Sequence, residues 1–326
     1  YRSGSYLNMI GLRHSRVKSI SEALTSIRFT DKIKHSLSQG SRRSTRLWPS
    51  EGLLGRFYKF HYYLTYKFTP PYVKINEQSD NWSETFSVVL QDSTHPDVKD
   101  MTKINEFLYK HTWANKGPVR LIYNTDPFHG GRLYTQFQNL RSRNVKERIN
   151  TLIDGEPICE VDYNANHLRM SLAVFAKQDA GETPYEDIAA ICGESRSVVK
   201  GFITRCMGAD NASSALKSYQ SEKGEDKWNK QRFEAILNAT YKRYPELEMF
   251  GGVGVKLQSL EGAILKRVML RGVDEDIVCL PIHDAIACKA KDAEWVEHVM
   301  TEEWTREVGT VIHPKIKTSF AEGFLG

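Results

Sequence analysis

The sequence predicts an α+β fold in which a small antiparallel sheet is covered on one side by helices. Two short apolar runs of strand length, 157–161 and 276–280, lie far apart in the C-terminal half, and each is followed by an aspartate. Longer segments with helical spacing of apolar residues lie between and after them. The chain has 326 residues, 40% hydrophobic and 26% charged, which is enough for one large or two modest domains.

The C-terminal half provides most of the predicted elements. Strand 157–162 leads into a helix through Leu168, Leu172 and Phe175. Segments 277–280 and 286–289 flank His283-Asp284 and predict a hairpin with the acid at its turn. The further helices and the closing segment are predicted at 185–192, 196–207, 228–244, 256–271, 292–308 and 311–320.

The N-terminal part gives weaker signals. Residues 19–36 show weak helical periodicity, and the aromatic-dense stretch 52–75 is typical of core more than of a base-stacking platform. Residues 76–100 are polar and broken, which predicts a loop or linker. Residues 119–123 predict a strand, and 129–132 predict a glycine turn that brings backbone close to a ligand.

The charge balance suits a polyanionic partner. Net charge is +5, and residues 1–50 hold ten Lys or Arg against two acidic residues. This segment is either a solvated region or an arm that contacts nucleic acid. No stretch of 18 apolar residues occurs, so no membrane span and no membrane partner are expected.

The five cysteines show no C-x-x-C spacing, and several lie in apolar runs. We therefore expect core thiols in a reducing compartment rather than disulfides or a zinc site. The expected location is cytoplasmic, or organellar if a removed targeting segment preceded Tyr1.

The two aspartates predict a cation site. Asp162 and Asp284 each follow a strand, and buried strands that deliver carboxylates to one edge form the oxygen-rich site that Mg²⁺ prefers. Two such ions about 3.5–4 Å apart support phosphoryl displacement. Between them, Arg196 and Lys200 are four residues apart and would share a helix face suited to a triphosphate. This combination indicates nucleotidyl transfer.

Several strings together resemble the polymerase domain of family A DNA polymerases, a superfamily that includes single-subunit phage and mitochondrial RNA polymerases. The strings are Val161-Asp162-Tyr163-Asn164-Ala165-Asn166-His167-Leu168-Arg169, Arg196-x-x-x-Lys200, Lys242-Arg243-Tyr244-Pro245, Gln258 with Lys266-Arg267, Ile282-His283-Asp284, and Gly131-Arg132-Leu133 with Gln138-Asn139-Leu140. They occur in the family's order across about 130–326.

The resemblance implies a right-hand palm with helical fingers and a reduced, thumb-like N-terminal region. The implied boundaries are a basic segment 1–50, an accessory or thumb-like region 51–130, and a palm and fingers core 131–326. The implied partners are a primer–template or single-stranded nucleic acid and nucleoside triphosphates. The implied cofactor is Mg²⁺, as two ions, with Mn²⁺ possible.

The resemblance also assigns roles to residues. Catalysis is expected from Asp162, Asp284 and Lys200, and metal binding from Asp162, Tyr163 and Asp284. Substrate contacts are expected from Arg196, His167, Thr204, Arg132, Gln258 and His283.

The chain departs from the family pattern at positions that select the sugar. Family DNA polymerases carry glutamate where this chain has His167, and an aromatic residue where it has Thr204. The carboxylate that usually follows His-Asp is Ala285, and Met207-Gly208 replaces a Tyr-Gly pair one residue early. We therefore expect relaxed sugar selectivity.

Three alternatives to a DNA polymerase remain open at the level of sequence. One is a primase or RNA-polymerase-like enzyme that uses ribonucleotides, which the departures favour. Another is a catalytically decayed polymerase fold that binds nucleic acid, against which the two aspartates argue. A metal-dependent nuclease is less favoured, because residues 1–130 show no acidic clusters of a proofreading domain.

Overall fold

The computed structural model describes residues 30–33, 46–49, 68–78, 85–124, 126, 129–142, 146–220, 229–309 and 312–321. The chain divides into two compact units, Tyr1–Lys67 and Phe68–Gly326. This division differs from the predicted boundaries after residues 50 and 130, and it places 68–130 in the same unit as 131–326. The accessory role of the N-terminal region stays a prediction.

The strands of the described residues run as follows: β1 (Thr30–Ile33), β2 (Arg46–Pro49), β3 (Val73–Gln78), β4 (Thr85–Val89), β5 (Arg120–Asn124), β6 (Arg132–Tyr134), β7 (Leu152–Ile153), β8 (Glu156–Tyr163), β9 (Leu280–Ile282), β10 (Ala285–Lys289) and β11 (Ile316–Phe320). In the first unit, β1 and β2 pair antiparallel, with Thr30 opposite Pro49.

The α-helices of the described residues all lie in the second unit: α1 (Pro96–Tyr109), α2 (Asn166–Ser171), α3 (Pro184–Cys192), α4 (Arg196–Met207), α5 (Ala212–Gln220), α6 (Lys230–Arg243), α7 (Val253–Asp274) and α8 (Ala293–Val308). A π-helical turn, Leu172–Ala176, continues α2. None of the described helices combines the length and apolar character needed to cross a bilayer.

The central sheet is antiparallel and has the order β11-β8-β10-β9, with β7 paired to the start of β8. Its strands are rich in fully buried residues such as Val161 and Ile286. Helix α8 packs against this sheet through Val296, Val299 and Met300, which recur at the three- and four-residue spacing of one helix face. The predicted α+β class and antiparallel sheet are confirmed.

A second sheet, with the order β4-β3-β5-β6, forms where the sequence predicted a loop or linker over 76–100. That prediction is wrong at 76–78 and 85–89, which are strand, and at 96–100, which is helix, whereas 90–95 is a loop as predicted. Strand β3 pairs in parallel with β5, so that Val73 lies opposite Leu121, and antiparallel with β4. Helix α1 then begins at Pro96, where the ring of His95 accepts the backbone N–H of Asp97.

Other differences are local. The weak helical periodicity noted over 19–36 does not correspond to a helix at Thr30–Ile33, which is strand β1, and the rest of that segment lies outside the described residues. The aromatic stretch 52–75 is described only from Phe68, whose ring packs edge-on against Tyr109 and Trp113. Helix α5 was not predicted.

The predicted hairpin around His283-Asp284 is confirmed, although its first strand begins at Leu280 rather than near 277. Asp276 takes a left-handed conformation with φ of 59°, which ends α7 in a turn before the strand. The five cysteines are free thiols, as expected, and four of them are buried. Sγ of Cys159 lies 3.4 Å from Sγ of Cys288, directly across the β8–β10 ladder.

Candidate active site

Two carboxylates meet at one edge of the central sheet. Asp162 is near the end of β8, and its partner across the ladder is Ala285, the first residue of β10. Asp284 immediately precedes Ala285 in the two-residue turn between β9 and β10, where His283 has φ of 55°. Antiparallel register therefore brings together two aspartates that are 122 residues apart in sequence.

The surroundings disfavour ionisation of both aspartates. Burial raises the pKa of Asp162, and the negative charge of Asp284 raises it further. Burial likewise raises the pKa of Asp284, with a second contribution from Glu261. Lys200 opposes both shifts. The side chain of Asp162 is exposed to the pocket on one side and is surrounded by protein on the others. Two carboxylates close together in such surroundings favour a bound cation, because a positive charge offsets their repulsion.

Helix α4 brings Lys200 to the aspartates. The hydroxyl of Ser195 caps this helix by accepting the N–H of Val198. The side chain of Lys200 is exposed and lines the same pocket as Asp162 and Asp284. Its ammonium makes no ion pair with any residue that the structure describes, which leaves its charge available to an anionic ligand.

Arg196 does not join the pocket. Its Nε donates to Glu186 Oε1 at 2.7 Å, and its guanidinium lies over the ring of Tyr185. Both partners of this ion pair are 45% exposed, so the pair contributes little to stability and can open. The predicted triphosphate contact of Arg196 stays a prediction.

Helix α7 and the strand β6 contribute Gln258 and Arg132 to the same pocket. The two segments approach closely because a side chain is absent at Gly262, where a Cβ would overlap the carbonyl oxygen of Gly131. The N–H of Gly130 donates to the carbonyl of Val255 in the same helix. The predicted glycine turn therefore approaches helix backbone.

Every predicted site residue apart from Arg196 lines this one pocket, which has a volume of about 440 Å³. The phenol of Tyr163 points into the core and donates to the Met300 carbonyl at 2.7 Å, so its side chain is not placed to bind a metal. The hydroxyl of Thr204 donates to the Lys200 carbonyl, one turn back in α4.

Two residues at the site, Glu261 and Asn166, were not predicted from the sequence as site residues. Glu261 of α7 is fully buried, and its Oε2 accepts the amide N–H of Asn166 at 3.0 Å. The Nε2 of His167 lies 3.0 Å from the same oxygen, and Nη2 of Arg132 lies 3.4 Å from Oε1. The recurrence of Glu261 at helical spacing with Leu257 is the signal that could have found it.

The chemistry of the site fits a hard divalent cation. Two carboxylates offer oxygen ligands, and Mg²⁺ commonly takes one or two of them together with water and substrate phosphates. Within the described residues no cluster of three or more His, Cys, Asp or Glu is arranged to hold a metal. Asp162 and Asp284 could contribute two of the oxygen ligands of such a cation.

Comparison with known proteins gives a weak structural resemblance. No model of a known family matches the chain, and no curated protein does. Among solved structures, the chain is similar to the POL domain of Pol1 from M. smegmatis, in complex with DNA primer-template and dNTP, at 12% identity and a TM-score of 0.43. The match covers 70% of this chain and 51% of the other, about half of its length.

Proposed function

We propose that the chain is a template-directed nucleic-acid polymerase that adds nucleotides to a 3′-OH. The observation that carries this proposal is the pocket itself. Three segments far apart in sequence, namely β8, α4 and the β9–β10 turn, bring Asp162, Lys200 and Asp284 to one pocket. A carboxylate pair beside a lysine that makes no ion pair within the described part of the chain suits a cation and a triphosphate together.

In this proposal the described residues divide the work. Asp162 and Asp284 would hold Mg²⁺ or Mn²⁺, as two ions, which supplies activation of the 3′-OH and charge neutralisation at the leaving pyrophosphate. Lys200 binds the triphosphate and stabilises its developing charge, and Arg196 joins it when its exposed ion pair with Glu186 opens.

The same proposal assigns regions. The central sheet with α8 corresponds to a palm, and α3 to α6 to fingers, with 1–130 as the reduced thumb-like or accessory region. Arg132 and Gln258 line the same pocket as Lys200, and they would contact the minor-groove edge of the primer–template terminus. His283, exposed at the turn, would contact the primer end.

A ribonucleotide-using enzyme, either a primase or RNA-polymerase-like, is the second candidate. The observation that favours it is the position of His167 on the pocket wall, where the family's glutamate would exclude a 2′-hydroxyl. A nucleic-acid-binding protein without catalysis is the third, and it requires that the carboxylate pair be inert.

The experiment is primer extension and de novo synthesis on a single-stranded template, with deoxy- or ribonucleotides and Mg²⁺ or Mn²⁺. Asp162→Asn and Asp284→Asn should each reduce incorporation at least about 100-fold, since an amide binds Mg²⁺ far more weakly than a carboxylate. Both variants should be at least as stable as wild type, because each removes one charge from a pair whose burial opposes ionisation.

The matched control is Asp276→Asn, an isosteric change in an exposed left-handed turn that asparagine tolerates. It should leave incorporation unchanged. Retention of more than about a tenth of activity by Asp162→Asn or Asp284→Asn would refute the assignment. A wild-type chain that binds primer–template but incorporates neither kind of nucleotide would establish the binding protein instead.

A further inference from the structure

One buried carboxylate in the lining of the pocket has no role in the chemistry proposed above. Glu261 is 1% exposed in the middle of α7. Burial alone would raise its pKa, but its contact with His167, and then the charge of Arg132 and the amide of Asn166, hold the pKa below its usual value. A buried carboxylate persists where cations and hydrogen-bond donors surround it.

The orientation of Glu261 is fixed from the core. The indole N–H of Trp304, a fully buried residue of α8, donates to Oδ1 of Asn166 at 3.1 Å. This contact sets the amide so that Nδ2 of Asn166 points to Oε2 of Glu261. Ala165, with φ of 54°, turns the chain from β8 into α2 and directs both Asn166 and His167 toward α7.

The same oxygen of Glu261 faces one particular nitrogen of His167. Nε2 lies 3.0 Å from Oε2, although its N–H is not aligned as a hydrogen bond. Contacts of this kind often tighten when a ligand binds. The imidazole is 20% exposed and lines the pocket. Its Nδ1 makes no hydrogen bond to any described residue, so it is the nitrogen left to a ligand.

We propose that Glu261 is a positioning residue for sugar selection, which holds His167 through Nε2 so that Nδ1 meets the 2′-hydroxyl of the incoming nucleotide. This inference rests on the proposed function. An imidazole fixed in this way carries its proton on Nε2, so its Nδ1 is an acceptor to which a hydroxyl can donate. A deoxyribonucleotide offers no group to this nitrogen.

The kinetic test compares kcat/KM for matched ribo- and deoxynucleotides in wild type, Glu261→Gln, His167→Ala and the double variant. Glu261→Gln should lower the ribo-to-deoxy ratio about 3- to 10-fold, mainly through the ribonucleotide KM, as expected for one hydrogen bond. The double variant should match His167→Ala, because Glu261 acts through His167. Glu275→Gln, an exposed change at the end of the same helix, should leave the ratio unchanged.

A structural role would give a different result. Glu261→Gln would then lower kcat/KM for both nucleotides alike and keep their ratio, which would overturn the inference. Independent losses that multiply in the double variant would do the same. A wild-type chain that incorporates neither nucleotide refutes the proposed function itself, and the two failures are therefore distinct.

A second readout does not depend on activity or on how well Glu261→Gln folds. Spectra of the wild-type chain labelled with ¹⁵N-histidine report which ring nitrogen carries a proton, and the signal missing from His167→Ala identifies the residue. We expect a proton on Nε2 of His167. An unprotonated Nε2 with the proton on Nδ1 would overturn the positioning role, whatever the kinetics show.

Discussion

The close approach of α7 to the strand that carries Arg132 gives a sharp test of the site's architecture. Gly262 is buried, and an added Cβ would overlap the backbone oxygen of Gly131. Backbone cannot rotate away as a flexible side chain can, so Gly262→Ala must push β6 from α7. The contact between Arg132 and Glu261, now 3.4 Å, would lengthen with it.

The magnitude follows from two opposing effects. Alanine in a helix interior is favoured over glycine by about 1 kcal/mol. Overpacking a tightly packed site costs about 1–3 kcal/mol or more, and an overlap with backbone belongs at the upper end. We therefore expect Gly262→Ala to lower the free energy of unfolding by about 1–2 kcal/mol.

Gly201 supplies the matched control for this prediction. It is exposed within α4, and an added Cβ there would meet nothing within 4 Å. Gly201→Ala should therefore raise stability by up to about 1 kcal/mol. Urea unfolding of the three proteins measures the difference. Equal stabilisation by both substitutions would refute the close approach of α7 and β6, and with it the placement of Arg132.

Two further predictions concern charge. Lys200→Ala should raise the nucleotide KM or lower kcat by about 10- to 100-fold, with primer–template affinity unchanged, because it removes a cation from the triphosphate site. Lys217→Ala is the control, since Lys217 is exposed on α5 and lies outside the pocket. A loss of nucleic-acid affinity with normal nucleotide kinetics in Lys200→Ala would contradict the assignment. Asp154→Asn should cost about 1–3 kcal/mol at pH 7 and weaken the loss of stability on acidification. Burial opposes ionisation of Asp154, but His111, a backbone N–H and Lys289 hold the pKa of this carboxyl well below its usual range. The ionised Asp154 therefore stabilises the folded chain above the unfolded-state pKa near 4, and this stabilisation is lost as the pH falls below that value. Urea unfolding at pH 7 and pH 3 measures this, and an equal pH dependence in both proteins would contradict it.

The sequence predicted those parts of the fold whose signals are local. Helix α4 has a capping serine, a regular apolar face and a terminal glycine, and both of its ends were predicted. Strand β5 was predicted over 119–123, but its partner β3 was not, because the paired residues are 48 positions apart and the polar residues that follow β3 resemble a loop. Strand pairing of this kind is decided by tertiary contacts.

The residues of the candidate site likewise divide into those that a local sequence pattern predicts and those whose contacts depend on tertiary packing. Asp162 and Asp284 follow strands and are recognisable one at a time. The ion pair of Arg196 with Glu186 depends on how α3 packs beside α4, which no local pattern encodes. Glu261 could have been found, since it stands at four-residue spacing with the buried residues Leu257 and Leu265, where a helix facing the core is expected to carry apolar side chains.

The carboxylate pair also bears on the choice between an enzyme and a binding protein. Burial and mutual repulsion oppose the charges of Asp162 and Asp284, so the folded chain is less stable with both ionised than with one neutral. A phosphate-binding surface gains nothing from such a pair, because anionic side chains repel a nucleic-acid backbone. In the proposed function, a bound divalent cation would remove the repulsion and would make the same pair suitable for a triphosphate. Under that proposal the arrangement favours catalysis over binding alone.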